Sequence, residues 1–392
     1  MPLPRQRQTM LAFSRPSLGE DEIAEIVHSI KSGWITTGPK CHQFEKDICD
    51  YVGAKHAVAL TSATAGLHLA LLAAGIGPGD EVITTSLTFA STANMIVLVG
   101  AKPVFVDIGD DLNIDPALIE AAITPRTKAI IPVHFAGYPC DMDRIMAIAG
   151  KHRLVVIEDA AHAIGTDYRG RRIGSIGDMT IFSFHPIKNI TTAEGGMLVT
   201  DDDALAEKVR LLKFHGIQKD AWKRYGGKEI PTYEIRFPGF KYNLTDLQAA
   251  IGIHQLKKLE AFIETRTRYA GIYRRLLGGA RGVMLPSAPG EEGTRHCWHI
   301  FVVLVDIDRL KIDRNAFLGQ MLEAKIGIAL HFPAVHLQPY YRETFGCARG
   351  DLPKAEFASD RIFSLPLYPG MSEADVADAA AAVKDIAARN AG

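Results

Sequence analysis

Between residues 57 and 184 the chain alternates short apolar runs with longer amphipathic stretches. The runs at 57–60, 81–84, 103–106, 129–133, 154–157 and 179–184 have strand length and are rich in Val, Ile and Phe. The stretch after Thr64 and those at 94–100, 116–122 and 141–152 have helical spacing. Strands separated by helices pair in parallel, because a parallel connection needs a crossover of helix length. Such a sheet is covered on both faces. The expected fold class is therefore α/β with a large, mainly parallel sheet, and in such sheets ligands gather at the carboxyl ends of the strands.

Two of those ends carry reactive groups. The run at 154–157 is followed by Glu158 and Asp159, and the run at 179–184 by His185, Pro186 and Lys188. An acid and an amine at neighbouring strand ends are the groups that pyridoxal phosphate requires. The amine forms the Schiff base, and the carboxylate, as an opposite charge, favours a protonated pyridine nitrogen. A lysine released from the cofactor is also placed to move a proton as general base and acid. The plainer alternative is a solvated loop lysine and an aspartate that caps a helix. If a helix starts at Asp159, His162 lies on its face three residues on. Thr61, Ser62 and Thr64 stand where an anion can be collected, but read alone they are taken first as simple helix capping. There hydroxyls and first-turn N–H groups begin a helix.

The motifs EDAAHA (158–163), SFHPIKNITTAEGG (183–196), TSATAGL (61–67), GFKYNLTDLQAAIG (239–252), SGWITTGPK (32–40) and HFPAVHLQPYY (331–341) occur in one order. With them the chain resembles the DegT/DnrJ/EryC1/StrS group of sugar-nucleotide aminotransferases, from about Phe13 to about Ile386. The resemblance implies a fold-type I pyridoxal phosphate enzyme with a large cofactor domain and a smaller C-terminal α/β domain. It implies that Lys188 carries the cofactor, that Asp159 faces the ring nitrogen, and that Phe89 and His162 lie against the ring. Ala63, Thr64 and Ser183 match phosphate contacts, and Asn243 matches a residue that reaches the partner subunit's phosphate site. The last implies a homodimer with shared active sites. Trp34, His331 and His336 are expected near the sugar, with Tyr340 as a further candidate; His185 is given no role. The amino donor implied is L-glutamate, leaving as 2-oxoglutarate. The acceptor implied is a nucleotide-linked 4-keto sugar, foremost a UDP-4-keto-pentose, for lipid A or surface polysaccharide. A UDP- or dTDP-linked 4-keto-6-deoxyhexose is the alternative. Relatives that dehydrate sugars carry histidine in place of the lysine, whereas Lys188 is kept here. A non-catalytic regulatory protein on the same fold would be expected to lack the lysine or the acid, and both are present.

Composition narrows the remaining classes. Length of 392 residues suggests more than one core. The expected division is a flexible lead at 1–15, a cofactor domain at 16–250 and a small domain at 251–392. A net charge of -1 offers no basic excess for nucleic acid or an anionic membrane. No apolar run is long enough to span a bilayer, so no membrane insertion is expected, and the N-terminus lacks the hydrophobic segment of a signal peptide. Five scattered cysteines without ligand spacing read as free thiols of a cytoplasmic protein, and no metal site is expected. A basic segment at 214–236, with Lys219, Lys223, Arg224 and Lys228, is a candidate to close over a diphosphate.

Overall fold

The computed structural model describes residues 7–218, 233–287, 290 and 292–392. Its larger sheet contains β1 (His56–Leu60), β2 (Glu81–Thr85), β3 (Lys102–Val106), β4 (Thr127–Ile131), β5 (Val155–Asp159), β8 (Met179–Ser183) and β9 (Gly196–Thr200). A short hairpin, β6 (Asp167–Tyr168) and β7 (Arg171–Arg172), lies outside it. The strand order is β1-β9-β8-β5-β4-β2-β3. Every pairing is parallel except those of β9, which runs against both β1 and β8. The mainly parallel sheet is thus as expected, while β9 was not foreseen.

Helices cover both faces. They are α1 (Glu20–Ser32), α2 (Pro39–Val52), α3 (Ala63–Ala73), α4 (Ala90–Leu98), α5 (Pro116–Ile119), α6 (Met142–His152) and α7 (Asp203–Leu212). The pleat divides the strands between two cores. Val156 and Phe182 join α2 and α6 on one side, and Ile157 and Ile181 join α3 and α4 on the other. The same alternation parts the two acids of β5. Glu158 stays on the α2 side, with His134 Nε2 at 2.8 Å and the Thr180 hydroxyl at 2.8 Å. Asp159 falls on the α3 and α4 side.

Helix α8 (Asp246–Leu277) runs unbroken for 32 residues from a capping box formed by Thr245 and Gln248. Leu256, Leu259 and Ile263 pack in the first core, and Tyr269, Tyr273 and Leu277 in a second. One rigid element therefore serves both, and a boundary at 250/251 lies within its first two turns. The second core is built on β10 (Val283–Met284), β11 (Phe301–Val305) and β12 (Ile362–Leu365), with α9 (Arg314–Glu323) and α12 (Glu373–Arg389). Helices α10 (Pro339–Phe345) and α11 (Pro353–Arg361) lie between.

The expectation of a flexible lead is corrected, and two further features bear on the site. The described part of the lead is tied down: Leu11 is buried, its N–H donates to Lys325 O, and Arg7 pairs with Asp375 and Asp378. Residues 328–332 form no strand, only a bridge from Ala329 to Ser364, since Pro333 cannot extend a ladder. Finally, the apolar stripe of α1 does not face the chain's own core. Glu22 and Ser29 are buried instead, Glu22 being held by Lys258 and Gln255, while Ile23, Val27 and Ile30 are 53%, 41% and 57% exposed.

Candidate active site

The carboxyl ends of β1, β2, β4, β5 and β8 surround a cavity of about 680 Å³. Asp159 enters it at the last residue of β5. Its Oδ2 accepts from the Thr92 hydroxyl at 2.7 Å and its Oδ1 from the Ala161 N–H at 3.2 Å. Burial pushes the Asp159 carboxyl up, while these two donors and the charges of Lys188 and His134 oppose the rise.

Lys188 stands in the loop that joins β8 to β9. The loop is closed by Phe184 N–H to Gly195 O, Thr192 N–H to Phe184 O and the Thr191 hydroxyl to Phe184 O. Next to the lysine, Asn189 is buried and donates to Cys297 O at 3.0 Å. Lys188 is therefore fixed by its backbone, while its amine opens on the cavity. Burial brings that amine down to about 8, against the pull of Asp159.

The turn from β1 into α3 forms one end. The Ser62 hydroxyl caps Ala65 N–H at 3.1 Å, so the capping expected of this turn is present. Ala63 and Thr64 line the cavity, and their first-turn N–H groups have no carbonyl one turn back. Gly196 permits this approach. A Cβ there would lie 2.3 Å from the Ser62 carbonyl carbon and 2.5 Å from Ala63 N. Ser183, at the end of β8, faces the same end. Free N–H groups, hydroxyls and a helix N-terminus make an anion cradle.

His162 does not sit on a helix. The residues after Asp159 form tight turns, and His162 is carried back beside the cavity by them. Its Nδ1 accepts from Ala136 N–H at 3.3 Å, which leaves Nε2 as the donor of the neutral ring. Phe332 stacks on it at 5.8 Å, and burial holds it far below the usual histidine range. Phe89 is the N-cap of α4 without a capping side chain, and its ring stands 60% exposed in the cavity. His331 also lines the cavity, with Nδ1 2.9 Å from the Ser364 hydroxyl; burial and then Lys188 lower it to about 3. Lys188 is the one lysine or arginine among the described lining residues.

Other candidates stand elsewhere. His336 is buried between the Ser86 hydroxyl at 2.6 Å and Glu356 at 3.1 Å and does not line the cavity, so it ties elements together. Tyr340 is half exposed and outside; its neighbour Tyr341 is the lining residue and bonds Asn94 at 2.6 Å. Trp34 packs on the Gly38 backbone, away from this chain's cavity. Asn243 is beside Leu60 and is held by Thr37 and Lys241, again outside its own chain's cavity. His185 reaches the rim near Glu194. Lys219, Lys223, Arg224 and Lys228 lie outside the described residues. Sequence reasoning did not single out Thr88, Thr92, Asn94, Gly195 or Phe332. Thr88 precedes Phe89, the N-cap of α4, and Thr92 lies in the first turn of that helix, while Asp159 is 67 positions away from Thr92.

An amine, a buried carboxylate and an anion cradle thus meet in one cavity, and they fit pyridoxal phosphate. A family model, that of the DegT/DnrJ/EryC1/StrS aminotransferase family, matches residues 16–384. The chain belongs to this family. It is 51% identical to the uncharacterized protein MJ1066 of Methanocaldococcus jannaschii, over 98% of this chain and 99% of that one. It is 50% identical to the spore coat polysaccharide biosynthesis protein SpsC of Bacillus subtilis, over 97% and 98% of the two chains. Among solved structures it is similar to Spr1654 of Streptococcus pneumoniae, assigned as a sugar aminotransferase and solved in its PLP form. That likeness has a TM-score of 0.89 and 33% identity, over 97% of this chain and 99% of that one. The fold is that of fold-type I aminotransferases, and the cofactor is pyridoxal phosphate. Among the described residues no helix is long and apolar enough to cross a membrane, and the five cysteines are free.

Proposed function

We propose that this aminotransferase moves an amino group from L-glutamate to the 4-keto carbon of a nucleotide-linked sugar. The observation that carries the proposal is the meeting of Lys188 and Asp159 in one cavity of about 680 Å³, which leaves room for a sugar beside a cofactor. When bound, pyridoxal phosphate supplies the electron sink for moving the proton and the amine. Lys188 holds the cofactor and, when released, transfers the proton. An amine lowered to about 8 is partly neutral near pH 7 and suits both directions of transfer. Asp159 faces the ring nitrogen. Ala63, Thr64 and Ser183 hold the phosphate, and Phe89 and the Nε2–H of His162 fix the ring's plane and edge. That orientation matters because the breaking bond must stand perpendicular to the ring. His331, a neutral donor or acceptor in the cavity wall, meets the sugar.

The phosphate end has no lysine or arginine of its own among the described lining residues other than Lys188. This supports a homodimer in which Asn243 of one protomer completes the partner's site. The outward apolar face of α1 supports it further, since Ile35, exposed beside that helix, lies in the loop whose Thr37 holds Asn243.

The motifs SGWITTGPK and GFKYNLTD resemble those of UDP-4-amino-4-deoxy-L-arabinose–oxoglutarate aminotransferases. They favour a UDP-4-keto-pentose, made in the cytoplasm for lipid A or surface polysaccharide. A second acceptor, a 4-keto-6-deoxyhexose, is favoured by the apolar wall of Leu330, Phe332, Pro333 and Val335, which suits a methyl group. The test follows the yellow absorbance of the purified protein. L-Glutamate is expected to bleach it in wild type but not in Lys188→Ala, and the accepted keto sugar to restore it. The two sugars are expected to differ by about 10- to 200-fold in kcat/KM, the discrimination typical of one methyl group. Colour unchanged by glutamate, or restored by no keto sugar, would sink the proposal.

A further inference from the structure

We propose that Thr92 is a positioning residue for Asp159, oriented by Thr88, and that this two-hydroxyl relay keeps the acid a fixed acceptor for the cofactor ring. The inference rests on the assignment of Asp159 to the ring nitrogen made above.

The direction of the relay follows from chemistry. The Thr92 hydroxyl is 2.7 Å from Asp159 Oδ2 and 2.8 Å from the Thr88 hydroxyl, and both threonines are buried. An ionised carboxylate only accepts, so Thr92 donates to it. The Thr92 oxygen is then the acceptor for Thr88, whose hydroxyl donates in turn. The other carboxylate oxygen takes the Ala161 N–H at 3.2 Å. With one donor on each oxygen the carboxylate cannot rotate, and each oxygen keeps a lone pair for the cavity.

The relay also decides where the proton rests. Burial favours a neutral Asp159, which would present a hydroxyl to the ring and leave the ring nitrogen without its proton. The groups that oppose this are the Thr92 and Ala161 donors, Lys188, and His134 behind the strand, whose Nε2 is engaged by Glu158. His162, held neutral, adds no charge. Lys188 changes its charge during amino transfer, whereas the Thr92 hydrogen bond does not. Thr88 and Thr92 also flank Phe89, so one short stretch of chain carries both the ring's aromatic platform and the clamp on its acid.

The test titrates apoprotein with pyridoxal phosphate across pH for wild type, Thr92→Val, Thr92→Ser, Thr88→Val and Asp159→Asn. Valine keeps the shape and removes the hydroxyl. Thr92→Val is expected to weaken cofactor binding by about 10- to 100-fold, the loss of one hydrogen bond to a charge. Its acid limb is expected to move to higher pH, because Asp159 protonates more easily. Thr92→Ser should restore affinity to within about threefold of wild type, on the same scale of energies. Thr88→Val should fall between, since it removes only the outer donor. If Thr92→Val binds the cofactor as wild type does while Asp159→Asn fails to, the relay is refuted and the acid's assignment stands. If Asp159→Asn itself binds with the wild-type pH profile, the assignment of Asp159 fails and the relay with it. Loss in Thr92→Val that Thr92→Ser does not restore would refute a hydroxyl role and indicate packing.

Discussion

At the scale of single residues, burial keeps two of the cavity's basic groups, His162 and His331, neutral. His162 and His331 are buried near one amine, and protonating any of them would gather like charges in a site with little solvent. Lys188 is the exception that titrates close to working pH, at about 8. Its amine must be neutral to attack an aldehyde, so cofactor capture by apoprotein is expected to speed up as pH rises through about 8 and to level off above it. Stopped-flow absorbance measures this directly. Asp159 raises the lysine, so Asp159→Asn is expected to move the midpoint to lower pH. An unmoved midpoint would show that the two groups do not interact. The choice between Glu158 and Asp159 also belongs at this scale. Adjacent strand residues point to opposite faces, so only one of them enters the cavity.

At the scale of elements, the loop at 32–40 depends on the start of α8. Asp246, fully buried, accepts N–H groups of Gly38 at 2.8 Å, Lys40 at 3.2 Å and Cys41 at 3.0 Å. Removing it strands these donors. Asp246→Ala is expected to destabilise the protein by about 3 kcal/mol or more, and Asp246→Asn by less, because the amide retains one acceptor oxygen. Urea unfolding checks both. The turn residues of SGWITTGPK favour a loop, and the capping box of Thr245 and Gln248, found in the structure, starts α8. That the two are tied to each other was not legible in the sequence, since more than two hundred residues separate them.

For the whole molecule, α1 raises the question of what covers its apolar face. Three aliphatic side chains at helical spacing are exposed, with Leu18 and Ile35 nearby, while the polar residues Glu22 and Ser29 are inside. A helix that turns its apolar stripe outward reserves it for another surface. With a second copy as the proposed occupant, Ile23→Asp combined with Ile30→Asp is expected to give a monomer in sedimentation velocity and to lower cofactor affinity, because each site would lose the partner's Asn243. A dimer that survives both substitutions would place the interface elsewhere.

Much of this protein was determined by local sequence. Alternating periodicity produced the parallel sheet, because strand and helix differ in repeat and parallel strands require crossovers. The same pattern put Asp159 and Lys188 at strand ends and so at the edge where cavities form. Tertiary structure alone decided which residues meet there. It turned Asp159 rather than Glu158 inward, brought Thr92 to it, kept His331 but not His336 at the cavity wall, put Tyr341 there in place of Tyr340, and faced α1 outward. The reason is physical: a repeat is written within a few consecutive residues. A contact between distant positions depends on how whole elements pack, and no short stretch of chain encodes it.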